Sequence, residues 1–197
     1  MTTNLTEIIF LLDRSGSMAG LEKETVNGYN AFIEKQCGIN RETRLTTILF
    51  DDQYEVLHNR IPINNVKLTE TDYYVRGATA LLDAIGKSIL EVDHRLIGKN
   101  DEACAQKIIF VITTDGMENA SVEFNYEKIQ TLIQQRKMQG NWEFIFLGAN
   151  MDAVKEANQL GIQQENAFNF EATSVGVEEM YYRVNEVVAE KRNLKEE

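Results

Sequence analysis

The chain has 197 residues, a formal net charge of −11, 43% hydrophobic residues and 26% charged ones. That balance excludes a disordered chain, which would be much poorer in apolar residues, and the length suits one domain able to bury its own core. The acidity and the lack of any Lys/Arg cluster argue against nucleic acid, whose phosphates call for a basic face.

In chain order, Met1 to Glu7 is polar, and the apolar run Ile8 to Leu12 behind it is too short to export the chain or span a bilayer. A cytoplasmic protein without a membrane partner is therefore expected. Ile8 to Leu12 reads instead as a strand covered on both faces, because its hydrophobicity is continuous rather than alternating. A helix is expected from about Leu21 to Gln36. Next come a strand from Leu45 to Phe50, a tight turn at Asp51-Asp52-Gln53 and a return strand from Tyr54 to His58, the only hairpin expected. Leu81, Leu82, Ile85, Ile89, Val92 and Leu96 form one stripe of a long helix.

A second continuous run, Lys107 to Ile112, is followed by a helix from about Tyr126 to Met138, and a third, Trp142 to Leu147, by a helix from Met151 to Leu160. A short strand near Ala167 to Phe170 precedes a last helix, Val177 to Arg192. Gly140 and Gly161 fall just past helix ends, where left-handed caps are expected. The alternation implies an α/β fold: a doubly wound, mostly parallel open sheet of about six strands, one antiparallel edge strand, and helices on both faces. A single domain over 1–197 is expected, with its core at about 6–192 and a charged C-terminal tail. Cys37 and Cys104 lie far apart without metal-ligand spacing and read as reduced thiols. Asn4-Leu5-Thr6 and Asn119-Ala120-Ser121 match the glycosylation sequon but are of no use to a chain outside the secretory route.

Ligands in open α/β sheets sit beyond the carboxyl ends of the strands, and two of the three apolar runs lead into aspartate there. The first leads into Asp13-Arg14-Ser15-Gly16-Ser17 and the second into Asp115-Gly116-Met117-Glu118-Asn119. A carboxylate ending a buried strand is expensive to desolvate unless something positive meets it, and a metal ion would serve both. In Asp13-x-Ser15-x-Ser17 a chain turning at Gly16 aims one carboxylate and two hydroxyls at a common point. Hard oxygen donors without His or Cys select Mg²⁺, Mn²⁺ or Ca²⁺, with Mg²⁺ the expected occupant in a cell. The bland alternatives are that Ser15, Ser17 and Thr79 cap helices and that the two aspartates bond loop amides.

Asp-x-Ser-x-Ser after the first strand, Gly77-Ala78-Thr79-Ala80-Leu81 at the start of the long helix and Thr114-Asp115-Gly116 after a later strand resemble the metal-ion-dependent adhesion site of von Willebrand factor A domains. The matching order of elements extends the resemblance from about Thr6 to Arg192. It implies that Asp13, Ser15, Ser17, Thr79 and Asp115 hold the metal, some through water. It also implies that the metal binds a glutamate or aspartate of a partner protein, with an AAA-type ATPase or an operon partner as candidates from bacterial relatives. The protein is then not an enzyme.

A rival reading is a phosphatase-like, metal-dependent phosphoryl-transfer enzyme with Asp13 and Asp115 on Mg²⁺, but an aspartate would be wanted where Ser15 stands. A third is a scaffold or filament component whose site is intact but unused. Gly86-Lys87-Ser88 resembles a phosphate loop only superficially, since Leu81 takes the place of its first glycine. His58 and His94 lack partners for nucleophilic catalysis. Asp83 is read either as support for the metal ligands or as helix surface.

Overall fold

A computed structural model describes residues 5–39, 41–97 and 107–193. Asn4, Cys104 and the end of the charged tail lie outside the described residues. The elements are β1 (Thr6–Asp13), α1 (Glu22–Cys37), β2 (Thr43–Phe50), β3 (Tyr54–Pro62), α2 (Leu81–Leu96), β4 (Lys107–Thr114), α3 (Tyr126–Lys137), β5 (Trp142–Ala149), α4 (Ala153–Leu160), β6 (Ala167–Phe170) and α5 (Ser174–Asn193). Short 3₁₀ turns follow β1 and β3 and precede β6.

Six strands form one sheet in the order β3-β2-β1-β4-β5-β6. Every pairing is parallel except that of β3 with β2 at the edge. All eight residues of β1 and all eight of β4 are buried. Their unbroken hydrophobicity is thus explained by cover on both faces. One face packs α2, α3 and α4 over Ile9, Leu11, Phe110, Ile112, Phe144 and Phe146, where the Phe110, Trp142 and Phe144 rings stack. The other packs α1 and α5 over Ile8, Phe10, Leu12, Ile109 and Val111, with Phe10 edge-on to Tyr29 and Phe32.

The helix boundaries fall within about three residues of the expected ones, and Gly140 and Gly161 are left-handed at φ +84°. β3 runs on to Pro62, past the expected end at His58. Its register against β2 shifts around Thr47, and Arg60 takes φ +51° while its N–H donates to Thr46 Oγ1. A bulge breaks the period-2 pattern by which a strand is read from sequence. Among the described residues, no helix is long and apolar enough to cross a membrane.

Gly86-Lys87-Ser88 lies inside α2, where Ser88 donates to the Ile85 carbonyl and Lys87 pairs with Glu123. At the far end of the sheet, Arg192 of α5 is fully buried and donates to the carbonyl and Oε1 of Gln36 and to Thr43 Oγ1. Burial lowers its pKa to about 10. These bonds tie α5 to α1 and the start of β2, and their loss strands buried acceptors. Arg192→Met should therefore cost about 2 kcal/mol, read as a lower urea midpoint at unchanged slope.

Candidate metal centre

The order of the sheet reverses between β1 and β4, where chains lead away to opposite sides and leave a crevice beyond their carboxyl ends. β1 ends in Asp13, and Asp115 follows the last residue of β4. The chain then turns through Gly16–Met18, and Gly16 N–H donates to the Gly77 carbonyl at 3.1 Å. This bond draws the segment before α2 against the β1 loop. Gly77 sits at φ +68°, and a side-chain carbon there would stand 2.2 Å from Asp52 Oδ1, so only glycine fits.

The sequence-predicted residues converge. A side-chain carbon on Gly116 would lie 2.9 Å from Thr79 Oγ1, 3.0 Å from Ser17 Oγ and 3.7 Å from Ser15 Oγ, which places three hydroxyls from two loops beside the β4 terminus. Ser15 and Ser17 hydroxyls are 3.2 Å apart, and Ser17 donates to Asp115 Oδ1 at 2.5 Å. Asp13 Oδ1 accepts from Ser15 N–H at 2.7 Å, and its Oδ2 accepts from Thr114 Oγ1 at 2.5 Å. The second oxygen of Asp115 is buried without a hydrogen-bond partner.

The helix-capping alternative is not realised. Ser15 makes no side-chain cap bond, and the N-cap of α2 is Ala80 rather than Thr79. The loop-amide alternative holds in part, since Asp13 accepts from Ser15 N–H.

Burial raises the Asp13 pKa to about 6 against the bonds from Thr114 and Ser15, with Asp115 adding to the rise. Desolvation likewise raises that of Asp115, against the bond from Ser17. Among the described residues no Lys or Arg pairs with either carboxylate, and Arg14, next to Asp13 in the chain, points elsewhere. Its Nε and Nη1 donate to Asp51 and Glu55 at 3.2 and 2.7 Å.

Asp51 is the main residue that the sequence concealed. It stands at the hairpin turn as expected, yet it is fully buried, and its Oδ2 meets Arg14 and also Arg76 at 2.6 Å. Its Oδ1 accepts from Gln53 N–H, and its carbonyl accepts from Ala80 N–H. Arg76 N–H in turn donates to the Arg14 carbonyl. The turn thus locks the β1 loop to the segment that carries Thr79. Tyr73 supports the same edge by donating to the Asp13 carbonyl at 2.6 Å.

Asp83 is not helix surface, and it supports the loop beside the ligand candidates. It is buried and accepts from the N–H groups of Val122, Glu123 and Phe124. Glu118 accepts from Leu82, Ala120 and Ser121 N–H, and Asn119 Oδ1 from Thr79 N–H. The loop after β4 is therefore stitched to the start of α2, which fixes Thr79 against Gly116. His58 bonds Thr47 on the hairpin, and His94 lies in the last turn of α2.

The donor set suits a hard dication: two carboxylates, three hydroxyls, no nitrogen or sulfur, and one buried oxygen without a partner. Among the described residues no group of three or more His, Cys, Asp or Glu side chains is placed to hold a metal, at this site or elsewhere, so a metal here would rest on two carboxylates and hydroxyls.

Solved structures share this architecture. The vWF domain of the type V pili tip protein Mfa5 from Porphyromonas gingivalis superposes with a TM-score of 0.71 at 10% identity, over 100% of this chain and 99% of that one. The chain has the von Willebrand factor A fold. The VWA domain of SpRpn10 gives a TM-score of 0.63 at 13% identity, over 91% and 95% of the two chains. Proximal thread matrix protein 1 from the mussel byssus, with a zinc-occupied MIDAS motif, gives 0.65 at 15% identity over 95% of this chain, which spans 47% of that protein's length. No protein-family model and no curated protein matches the sequence.

Proposed function

We propose that the chain is a divalent-metal-dependent protein-binding module in which Asp13, Ser15, Ser17, Thr79 and Asp115 hold Mg²⁺, with Mn²⁺ or Ca²⁺ as substitutes. The observation that carries this reading is Asp115 Oδ2, buried and without a partner beside three converging hydroxyls. Two carboxylates only balance a dication, so the bound metal would offer one further position to an anionic oxygen. Exposed Ser17 and Gly16, with Met117 72% exposed, leave that position open to a partner's glutamate or aspartate. A chain of net charge −11 repels an acidic partner unless a local positive centre overcomes it. An AAA-type ATPase or operon partner and a cytoplasmic setting belong to the same proposal, and the free thiol of exposed Cys37 suits a reducing compartment.

A phosphatase reading gains nothing from the geometry, because the residues around Asp13 and Asp115 are hydroxyls and backbone rather than a general base or a cationic phosphate cradle.

Metal binding should depend on pH in a direction set by Asp13. Its folded pKa of about 6 lies above the usual 3.8, so the metal-free fold loses this group's stabilisation as pH rises from about 4 to 6. A metal must displace the proton below the folded pKa of about 6 and meets a ready carboxylate above it. Mg²⁺ should therefore raise the melting temperature clearly at pH 7.5 and much less at pH 5. Equal shifts at both values would remove Asp13 from the site. Capture of an acidic-tailed partner that survives EDTA undiminished would place binding on another surface.

A further inference from the structure

A second surface lies apart from the metal edge. α1 and α5 run in the same direction over one face of the sheet, with Ser174 bonded to Glu24 at one end and Gln36 bonded to Asn185 at the other. Between them an open groove of about 570 Å³ faces solvent. Its floor is low because Gly28 packs directly on the Tyr181 ring, where a side-chain carbon would stand 2.1 Å away, and because Ala31 is small. Its α5 wall carries Val175, 65% exposed, and Tyr182, 57% exposed. These two side chains give the concave floor an apolar margin.

The charges in the groove are polarised along its length. Glu24 and Glu178 line it toward the N-terminal ends of the two helices, whereas Lys35 lies near the C-terminal end of α1, its Nζ 4.4 Å from the Tyr182 ring centre. From Glu24 to Lys35 the groove follows α1 for roughly 16 Å, or about three helical turns.

We propose that this groove docks an amphipathic helix of about three turns, antiparallel to α1 and α5, with an apolar stripe inward, acidic residues in its first turn and basic residues in its last. The occupant's basic end then meets Glu24 and Glu178, and its acidic end meets Lys35. The same orientation sets its dipole against those of α1 and α5, and its own end charges complement that dipole. A helix suits the groove better than a strand because the groove offers side-chain ridges and small residues but no free sheet edge. This inference is independent of the metal centre.

The test uses the whole chain and a displayed library of helical peptides. Apolar positions are varied at i, i+3, i+4 and i+7, and end charges are fixed either as proposed or exchanged. Selected peptides are titrated into ¹⁵N-labelled protein in EDTA. The expected result is enrichment of the proposed charge order, amide shifts centred on Ala31 and Val175, and at least about fivefold weaker binding for the exchanged order. Ala31→Trp, which fills the groove from an exposed position, should abolish binding, and Glu178→Lys should erase or invert the preference. Melting temperatures of both variants check that the fold survives. Failure of either charge order to enrich, equal affinity for both, or unaltered binding to Ala31→Trp overturns the proposal.

Discussion

Asp115→Ala should weaken Mg²⁺ binding by at least about 100-fold while leaving the metal-free fold as stable as before, or slightly more so. Loss of a residue that merely supports a metal ligand costs 10- to 100-fold, so loss of one of only two charged ligands sets a floor near the upper figure. The stability half of the expectation follows from the environment of this carboxylate. One oxygen accepts from the exposed Ser17 hydroxyl, which water can replace, and the other is buried without a partner. Desolvation raises its pKa, which means that its ionised form is a burden to the metal-free protein. Titration calorimetry with Mg²⁺ and Mn²⁺, together with melting in EDTA, separates two roles. Lost affinity with an unchanged melting temperature marks a ligand. A melting temperature lower by about 10 °C in EDTA would show that Asp115 is structural and that the metal reading fails at this residue.

Asp51→Ala should cause the largest loss of stability of any single substitution near the site, about 3 to 5 kcal/mol. The side chain is fully buried and joins Arg14, also fully buried, to Arg76. Without it, Arg14 keeps Glu55, whose side chain is 47% exposed, and the face of the Tyr74 ring 5.4 Å away. Since Arg14 Nη2 already lacks a partner, the guanidinium would be left largely uncompensated in the interior. For a chain of this length such a loss corresponds to a fall of about 10 °C in melting temperature. Metal affinity should drop as well, by about tenfold, because Asp51 fastens the segment from Arg76 to Ala80 to the β1 loop and so positions Thr79. A variant that melts within about 2 °C of the parent would show that the arginines are paired well enough without it.

The two expectations contrast a carboxylate placed for a ligand with one placed for the fold. Both end or follow buried strands, and both are aspartates beside glycine-rich or polar turns. What separates them is what surrounds the charge: two guanidinium groups at Asp51, and hydroxyls with no cation at Asp115. The residues around Asp51 show a turn but not the two guanidinium groups that meet its side chain there.

Much of the fold was legible in the sequence. Ile8 to Leu12, Lys107 to Ile112 and Trp142 to Leu147 can be continuous apolar runs only if covered on both faces, and burial of every residue of β1 and β4 bears that out. The stripe Leu81 to Leu96 coincides with α2 because a 3.6-residue period is a property of the chain segment itself. α5 starts at Ser174, ahead of the first stripe residue Val177, since Gly176 packs against the Glu171 backbone and its neighbours Ser174 and Val175 face solvent. The five candidate ligands were likewise visible, as short motifs each written within one loop.

Tertiary structure alone decided how those motifs meet and what holds them there. The contact of Ser17 with Asp115 spans 98 residues, that of Arg14 with Asp51 spans 37, and the bonds from Asp83 to the loop after β4 span 39 to 41. Local periodicity carries no trace of such pairs, because each partner's own neighbours satisfy their local preferences whether or not the contact forms. The sequence by itself determined the elements, their order and the oxygen chemistry at two strand ends. Folding decided that Asp51 and Asp83 are buried clamps rather than surface charges, since burial depends on what the rest of the chain brings over them.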